Sequence, residues 1–547
     1  MSRGVRCRRQ RRSLQRPIRP FTAQRQMVAT AQRWLDLRVP ALAAWGAFVG
    51  AAAFAPVGWW PLAMIALVPL WTIAMTEGPR RCALFGFSFG VGFFCASLYF
   101  LIETLRVHGY MALPLALSTY LLLVFYLSLY PMLSTALIGY VAKVSPAIAL
   151  VVAPFAWTGF EWLRGEVIIG FPWGDLPMAL WRLRTALDLA PILGVGGVRL
   201  LMASISVAGV FILLPKKTRQ GARYALILPL AALVLSLALP KAVEIKSEVL
   251  GKGDIAIIQG NIPQSEKWLP GMRQETLNRY RRLTLDAVAG TPPDFILWPE
   301  TAMPSRVPVG SSGRRFVEKL ARSAKSSIIF GAPSNVYKDG GVKESRNSVY
   351  GVTQNGNFTG RYDKVKLVPF GEYVPFERYL PFVKKISSAA GNFRPGEGFL
   401  SLPLGITEDA RRVGSLICFE SLFPAFATAQ ARGGANILAV VTNDSWFGDS
   451  SAPSRHLAYS AWRAAENGLW LIRAANTGIS AIFDERGELI KSTSLDETTF
   501  LRGEVEYRAS EGLLQGALRP WVELTSLLLA IIALFGILRL RRAESSG

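Results

Sequence analysis

The sequence predicts a membrane protein in two parts: a multi-span α-helical domain and an α/β layered domain inserted before the last span. Hydrophobic residues make up 51% of the 547 residues and charged residues only 18%, whereas soluble proteins average about 25% charged. The apolar residues concentrate between positions 39 and 240 and again after 521. Residues 244–520 show instead the short apolar runs and charged helices of a globular domain.

Eight apolar stretches are candidate transmembrane helices, because a bilayer core needs about 20 apolar residues per helix. They lie at roughly 39–56, 59–76, 83–102, 112–138, 146–163, 192–214, 224–240 and 521–540. We therefore predict a membrane domain of about seven helices over 39–243, and a final helix with a basic tail over 521–547. Residues 1–38 form a basic arm that we expect to be disordered. Its first 26 residues should be dispensable, with Met27 as an alternative start.

Basic residues flanking these stretches predict the orientation, because cytoplasmic loops of membrane proteins are rich in Lys and Arg. Eleven arginines precede Val39, and further basic residues follow the second, fourth, sixth and eighth stretches. We expect both termini in the cytoplasm of a bacterium, and the domain at 244–520 on the periplasmic side of the inner membrane. This pattern explains the net charge of +23 better than nucleic-acid binding, since no nucleic-acid-binding motif accompanies the charge.

The inserted domain alternates predicted strands and helices, which is typical of a layered α/β domain. Strands are predicted at 254–259, 294–298, 327–331, 414–418, 435–441 and 469–474, and helices at 275–289, 316–326 and 454–467. Four scattered cysteines argue against a disulfide framework, and the two histidines offer no zinc motif.

Ionisable side chains follow three of the apolar runs, where sites of α/β domains form. Glu300 comes directly after Trp-Pro, Lys364 and Glu372 share a loop rich in Pro and Gly, and Cys418 is followed by Glu420. Each residue alone has a structural explanation, but together they make a coherent set. A thiol attacks as thiolate, a carboxylate can take its proton, and an ammonium can stabilise the resulting oxyanion.

Two other features of the sequence suggest a different kind of active site. His456 lies 38 residues after Cys418 on a predicted helix, so a Cys–His dyad remains possible. Residues 86–90 fit the G-x-S-x-G pattern of hydrolases. They lie inside an apolar stretch with no strand before them, so we interpret them as small residues for helix packing.

Several motifs in the inserted domain resemble a known family. The order W-P-E, Y-x-K and C-F-E, at 298–300, 362–364 and 418–420, is similar to the nitrilase superfamily. The chain from about residue 29 onward resembles the apolipoprotein N-acyltransferase family through its apolar stretches and the motifs at 259–264, 367–375 and 442–448. Two positions depart from the pattern: Lys366, where His is common, and Phe419, where Tyr is also common.

This resemblance implies a nitrilase-like αββα sandwich outside the cytoplasm and a role for each reactive residue. Cys418 would be the nucleophile that forms a thioester, Glu300 the general base and then acid, and Lys364 a partner of the oxyanion. Glu372 and Glu420 would orient Lys364 or the thiol. Backbone N–H groups after Cys418 would complete the oxyanion hole.

The same resemblance implies the substrates and partners. An acyl chain would pass from a phospholipid, typically phosphatidylethanolamine, to the amine of the diacylglyceryl-cysteine of an apolipoprotein. Trp268 and Phe419 would shape the acyl pocket, and the loop at 376–386 could dip into the membrane interface. We expect a monomer without cofactor or metal.

Two other classes of protein remain open. A membrane-tethered nitrilase-type amidase would use the same three residues but does not need eight spans. A non-catalytic scaffold or transporter would not be expected to keep Glu300, Lys364 and Cys418 together.

Overall fold

The N-terminal part of the protein consists of helices. The structure is a computed structural model, and it describes residues 21–242, 247–267, 269, 271–338, 341–373, 392–406, 411–509 and 519–546. The helices of the first part are α1 (Phe21–Ala52), α2 (Pro61–Ile65), α3 (Val68–Ala74), α4 (Pro79–Ser97), α5 (Phe100–Glu103), α6 (Leu113–Ala142), α7 (Pro146–Glu166), α8 (Arg184–Leu187), α9 (Ala190–Leu213), α10 (Lys216–Gly221) and α11 (Ile227–Ala242). A π-helical turn (Thr104–His108) continues α5, and 3₁₀ turns lie at Leu176–Leu180 and Arg223–Leu226.

Five helical segments among the described residues are long and apolar enough to cross a membrane. They are α6, α7, α9, Arg223–Lys241 and Trp521–Arg539. The predicted third span is a bent pair, Pro79–Ser97 and Phe100–His108, which meet at 61°.

The first two predicted spans are shorter helices than expected. The first ends at Ala52, and the second, Pro61–Ala74, is interrupted after Ile65. Pro61 and Pro69 stand in the first turns of α2 and α3. Proline has no N–H to donate and its ring clashes with the preceding turn, so Pro69 breaks the helix there. Among the described residues, the structure therefore does not show eight continuous membrane-spanning helices.

The structure also differs from the prediction that the basic arm is disordered. α1 begins at Phe21, so residues 21–38 are helical rather than disordered, while residues 1–20 lie outside the described part of the chain. The segment 21–38 contains neither Gly nor Pro and is rich in good helix formers. It can therefore extend the helix of the apolar stretch that follows.

Small residues let α4 pack closely on α6. A Cβ atom at Gly86 would lie 2.4 Å from the carbonyl oxygen of Pro131, and one at Gly90 would lie 2.8 Å from the Pro131 ring. The Ser88 hydroxyl between them donates to its own helix, at the carbonyl oxygen of Leu84. This geometry supports the interpretation of residues 86–90 as helix packing.

Two six-stranded sheets form the centre of the inserted domain. Their strands are β1 (Val249–Gln259), β2 (Phe295–Leu297), β3 (Ser327–Lys338), β4 (Gly341–Val352), β5 (Phe358–Asp363), β6 (Leu402–Pro403), β7 (Arg412–Ile417), β8 (Ile437–Thr442), β9 (Leu471–Ala475), β10 (Ala481–Phe483), β11 (Leu489–Ser492) and β12 (Thr499–Arg508). The strand orders are β12-β1-β2-β3-β4-β5 and β11-β10-β9-β8-β7-β6. β1, β2 and β3 run parallel, as do β7, β8 and β9.

Helices cover the outer face of each sheet. They are α12 (Met272–Ala287) and α13 (Ser312–Ala324) on the first sheet, and α14 (Pro424–Arg432) and α15 (Ala452–Asn467) on the second; α16 (Arg519–Ser546) ends the chain. Alternate residues of β1 face the two sides: Ile255 and Ile257 lie in the core between the sheets, and Ala256 and Ile258 in the core beneath the helices. The predicted αββα sandwich is confirmed. Both junctions with the helical part, 243–246 and 510–518, lie outside the described residues.

The outer helix layer of the second sheet packs against the helical part. Arg455 of α15 is buried and donates to three backbone carbonyl oxygens, those of Gly50, Ala55 and Ser97, at 3.0–3.3 Å. These carbonyls lie at or just beyond the ends of α1 and α4, where helices leave acceptors unpaired. One guanidinium thus ties the α/β domain to two apolar helices.

Candidate active site

Cys418 occupies a strained turn at the end of a central strand. β7 ends at Ile417, and Cys418 has a φ of +52° before a 3₁₀ turn at Cys418–Leu422. A positive φ is unfavourable for any residue with a Cβ, so the surrounding contacts must hold it. Burial raises the pKa of the Cys418 thiol above its usual range, and the charge of Glu300 raises it further, while Lys364 opposes both. At neutral pH the group is therefore a thiol that needs a base.

Glu300 follows β2 and accepts hydrogen bonds at both carboxylate oxygens. Its Oε1 accepts from Asn347 Nδ2 at 2.7 Å and from Lys364 Nζ at 3.4 Å. Its Oε2 accepts from the backbone N–H of Asn443 at 3.0 Å. All three partners are donors, which suits an ionised carboxylate able to take a proton.

Lys364 follows β5 and lies 1% exposed between two carboxylates. Its Nζ is 2.9 Å from Glu372 Oε1 and 3.4 Å from Glu300 Oε1. Burial alone would lower the pKa of Lys364, but the two carboxylates outweigh it and raise the pKa above its ordinary value. Lys364 is therefore a permanent ammonium, suited to stabilise charge rather than to remove protons.

Asn347 connects the two carboxylates and was not predicted from the sequence. It lies on β4, and its Nδ2 donates to Glu300 Oε1 at 2.7 Å and to Glu372 Oε1 at 2.9 Å. Because both partners are acceptors, the nitrogen of the amide must face them. No strand is predicted at 341–352, so no pattern in the sequence marks this residue as inward-facing.

The two supporting glutamates lie beside the cluster in different ways. Glu372 pairs with Lys364, and its Oε2 accepts from the backbone N–H of Val368 at 2.8 Å. Glu420 contacts neither Lys364 nor the thiol through a hydrogen bond within the described residues. Its Oε1 accepts from the Val365 N–H at 2.7 Å, and its Oε2 from the Ile417 N–H at 2.8 Å.

Glu420 therefore joins the segment after Lys364 to the residue before Cys418. It is fully buried and also accepts from the Tyr362 hydroxyl at 2.9 Å. Burial raises the pKa of Glu420 to about 7, although these hydrogen bonds act in the opposite direction. A side chain held on several sides in this way fixes the spacing between the Lys364 ammonium and the Cys418 thiol.

The predicted acyl-pocket residues are only partly described. The Phe419 ring is buried, with its centroid 6.3 Å from that of Phe171 in the helical part and 5.1 Å from that of Phe423. Trp268 and the loop at 376–386 lie outside the residues that the structure describes.

Two further buried groups border the site. Lys267 donates to the carbonyl oxygen of Glu300 at 3.2 Å and to Thr301 Oγ1 at 2.7 Å, and burial lowers the pKa of Lys267 to about 7. His456 uses both ring nitrogens away from the thiol: Nδ1 is 2.9 Å from Asp444 Oδ1, and Nε2 is 2.9 Å from Ser421 Oγ. This arrangement favours a carboxylate base over the Cys–His dyad.

Two family models match the chain, and together they cover most of it. They are the apolipoprotein N-acyltransferase N-terminal domain over residues 46–208 and carbon-nitrogen hydrolase over residues 254–509. The apolipoprotein N-acyltransferase of Geobacter metallireducens is 35% identical over 462 residues, which cover 83% of this chain and 86% of that protein. The chain belongs to the apolipoprotein N-acyltransferase family.

A second relative agrees with this membership. The apolipoprotein N-acyltransferase of Photobacterium profundum is 31% identical, over 84% of this chain and 87% of that protein. The predicted resemblance to the family is thus confirmed. Among solved structures, an amidase from Nesterenkonia sp. is 20% identical, with a TM-score of 0.36, over 51% of this chain and 98% of its own.

The two family matches correspond to the two parts of the apolipoprotein N-acyltransferase structure, the helical part and the inserted α/β domain. Glu300, Lys364 and Cys418 all lie within the carbon-nitrogen hydrolase match, so the candidate site belongs to the nitrilase-like domain. Family membership and the apolar helices together indicate a membrane protein.

Proposed function

We propose that this acyltransferase moves an acyl chain from a phospholipid to the N-terminal amine of diacylglyceryl apolipoproteins, through a thioester on Cys418. The observation that carries the proposal is the buried cluster in which Lys364 joins Glu300 and Glu372, next to a strained cysteine. Relatives that are apolipoprotein N-acyltransferases support an apolipoprotein as the acceptor.

The first half-reaction begins with proton transfer. Glu300 takes the proton of the Cys418 thiol, which burial keeps protonated at rest. The thiolate attacks the ester carbonyl of the phospholipid, and a C–S bond forms. Collapse of the tetrahedral intermediate breaks the ester C–O bond. Glu300 returns its proton to the leaving alkoxide, and a lysophospholipid departs.

Two donors stabilise the oxyanion of that intermediate. An ammonium has three N–H groups, and within the described residues Lys364 uses two of them on Glu300 and Glu372. The third N–H then points to the oxyanion. The second donor is the backbone N–H of Phe419, which follows the nucleophile at the start of the 3₁₀ turn.

The second half-reaction uses the same residues. The free α-amine of the diacylglyceryl-cysteine attacks the thioester, and Glu300 takes a proton from the nitrogen. The C–S bond breaks, an amide remains on the acceptor, and the Cys418 thiolate regains its proton. A pocket that excludes water favours the amine over hydrolysis.

The position of the nucleophile relative to the helices supports a lipid substrate. Phe419 packs against Phe171, which follows the membrane-length helix α7. The reactive turn therefore lies where the α/β domain meets apolar helices, within reach of acyl chains. We take phosphatidylethanolamine as the donor, Phe419 and Trp268 as lining the acyl pocket, and residues 376–386 as an interfacial loop.

We place the protein in the bacterial inner membrane with the catalytic domain periplasmic and both termini cytoplasmic. The support is the asymmetry of basic residues between alternate connections. Fusions test this placement. Alkaline phosphatase joined after the last helix should be inactive and a fluorescent protein there should fold, whereas active phosphatase would reverse the orientation.

A labelled-lipid experiment tests the chemistry. Protein in nanodiscs receives phosphatidylethanolamine with a radiolabelled acyl chain, and mass spectrometry locates the adduct. The label should sit on Cys418, disappear with Cys418→Ala or Glu300→Gln, persist with Cys95→Ala as the control, and move to a diacylglyceryl-cysteine peptide. Release of labelled fatty acid without an adduct would favour a hydrolase, and normal turnover by Cys418→Ala would refute the nucleophile.

A further inference from the structure

A buried polar network lies directly behind the nucleophile and has no part in the proposed proton transfers. Ser421 Oγ lies 2.8 Å from the carbonyl oxygen of Cys418 and 2.9 Å from His456 Nε2. His456 Nε2 is itself 3.3 Å from the same carbonyl oxygen. Ser421, His456 and Asp444 are each at most 1% exposed, so substrate cannot reach them.

The hydrogen positions in this network follow from the acceptors. A carbonyl oxygen can only accept, so the Ser421 hydroxyl donates to the Cys418 carbonyl. The hydroxyl oxygen then accepts from His456 Nε2–H. On the far side of the ring, Nδ1 accepts from Arg473 Nη2 at 3.0 Å, and the same guanidinium nitrogen donates to Asp444 at 2.7 Å. The imidazole is therefore anchored at both ends.

This network controls the direction of one peptide plane. In a planar trans peptide, the C=O and the following N–H point in opposite directions. Holding the Cys418 carbonyl towards Ser421 therefore turns the Phe419 N–H away from the network. The same contacts help to hold Cys418 at its unfavourable φ of +52°.

We propose that Ser421 and His456 are positioning residues that aim the Phe419 N–H at the oxyanion of the acylation step. The inference rests on the proposed thioester chemistry, since it concerns the same nucleophile. Arg473 and Asp444 act one step further away, because Arg473 donates to Nδ1 of His456 and Asp444 holds Arg473 in place.

Two reactions of the Cys418 thiol distinguish a misdirected Phe419 N–H from a general loss of the site or the fold. Acylation by an ester passes through an oxyanion, whereas alkylation by iodoacetamide is a direct displacement at carbon that develops none. Loss of the aimed N–H should slow the first reaction only. Loss of thiolate formation or of the fold should slow both.

The test compares Ser421→Ala and His456→Gln with Ser460→Ala as the matched control. Ser460 is also fully buried, on the same helix as His456, and its hydroxyl has no hydrogen-bond partner within the described residues. In Ser421→Ala, kcat for acyl-enzyme formation should fall by about 10- to 100-fold. The KM for phospholipid, the iodoacetamide rate and the melting temperature should stay near wild type. His456→Gln, which can still donate from its side-chain amide, should lose less activity than His456→Ala.

Several results would overturn the inference. Wild-type kcat in Ser421→Ala would show that the carbonyl contact is not needed. Parallel loss of kcat, alkylation and melting temperature would indicate a structural role only. Loss of alkylation in both His456 variants, with normal Ser421→Ala, would make His456 the base. Failure of the thioester proposal is distinguished by Cys418→Ala, which would then remain active in the same assay.

Discussion

Replacing Asn347 by Asp would place a third carboxylate against Glu300 and Glu372 without changing the size of the side chain. The amide nitrogen lies 2.7 and 2.9 Å from the two carboxylates. At such separations each would repel a new charge by about 6 kcal/mol at an effective dielectric of ~20. Holding a proton on the introduced carboxyl group at pH 7 costs less, up to about 4 kcal/mol. The folded variant should therefore bind a proton.

The sign of the pH dependence follows from that proton. The new carboxyl has a higher pKa in the folded than in the unfolded variant, so the folded state binds more protons between the two values. The free energy of unfolding of Asn347→Asp should then fall as pH rises, by up to about 1.4 kcal/mol per pH unit between roughly pH 4 and 7.

Thermal unfolding in detergent, followed by tryptophan fluorescence, measures this effect. With roughly 2–4 °C per kcal/mol for a domain of this size, Asn347→Asp should melt about 8–16 °C below wild type at pH 7 and recover towards pH 5. Asn347→Leu loses the donor without adding charge, so its deficit should not change with pH. Asn278→Asp is the control and should melt like wild type, because this amide is exposed and accepts a hydrogen bond from Gln274 rather than facing a carboxylate.

A melting temperature of Asn347→Asp equal to that of wild type at pH 8 would refute this prediction. A pH slope equal to that of Asn347→Leu would refute it too, because the added charge would then have no role. Acyl-enzyme formation by Asn347→Asp should also be slow at pH 7.5, since a proton shared with Glu300 impairs the base.

Three further predictions concern other buried charges. Glu300→Gln should abolish thioester formation on Cys418, because the buried thiol loses the carboxylate that takes its proton; rapid uptake of the labelled acyl chain by this variant would contradict this. Burial lowers the pKa of Lys267 from 10.5 to about 7. Between these two pH values the unfolded state binds more protons than the folded state, so the free energy of unfolding of the wild type should rise with pH. Melting curves from pH 7 to 9.5 should show that rise in wild type, and Lys267→Met should lack it. Arg455→Met should lower the melting temperature by more than ~5 °C, because three carbonyl oxygens lose a charged donor; an unchanged value would show that this contact is not stabilising.

Elements built from short-range patterns were predicted well. The apolar run at 254–259 lies within β1, and the helical spacing at 454–467 lies within α15. The interrupted helix at Pro61–Ala74 was missed because mean apolarity conceals a single Pro69. The helix from Phe21 was missed because a high density of charge suggests disorder, although helix formation depends on backbone propensity as well.

Candidate site residues were predicted where an ionisable side chain ends an apolar strand, as for Glu300 and Cys418. Asn347 carries no such signal, because a strand with polar residues on both faces looks like a loop. Lys267 carries no such signal either, because its burial against Glu300 depends on a turn that no periodicity marks.

Periodicity, composition and motifs along neighbouring residues are enough to predict the apolar helices, the layered α/β domain and the family. The partners that hold the candidate site residues become visible only in the folded molecule. The Asn443 N–H reaches Glu300 across 143 residues of sequence, and His456 comes to the Cys418 carbonyl from a different helix. Such contacts follow from how two sheets and their helices stack. A hydrogen bond depends on distances below about 3.5 Å, which sequence spacing does not specify.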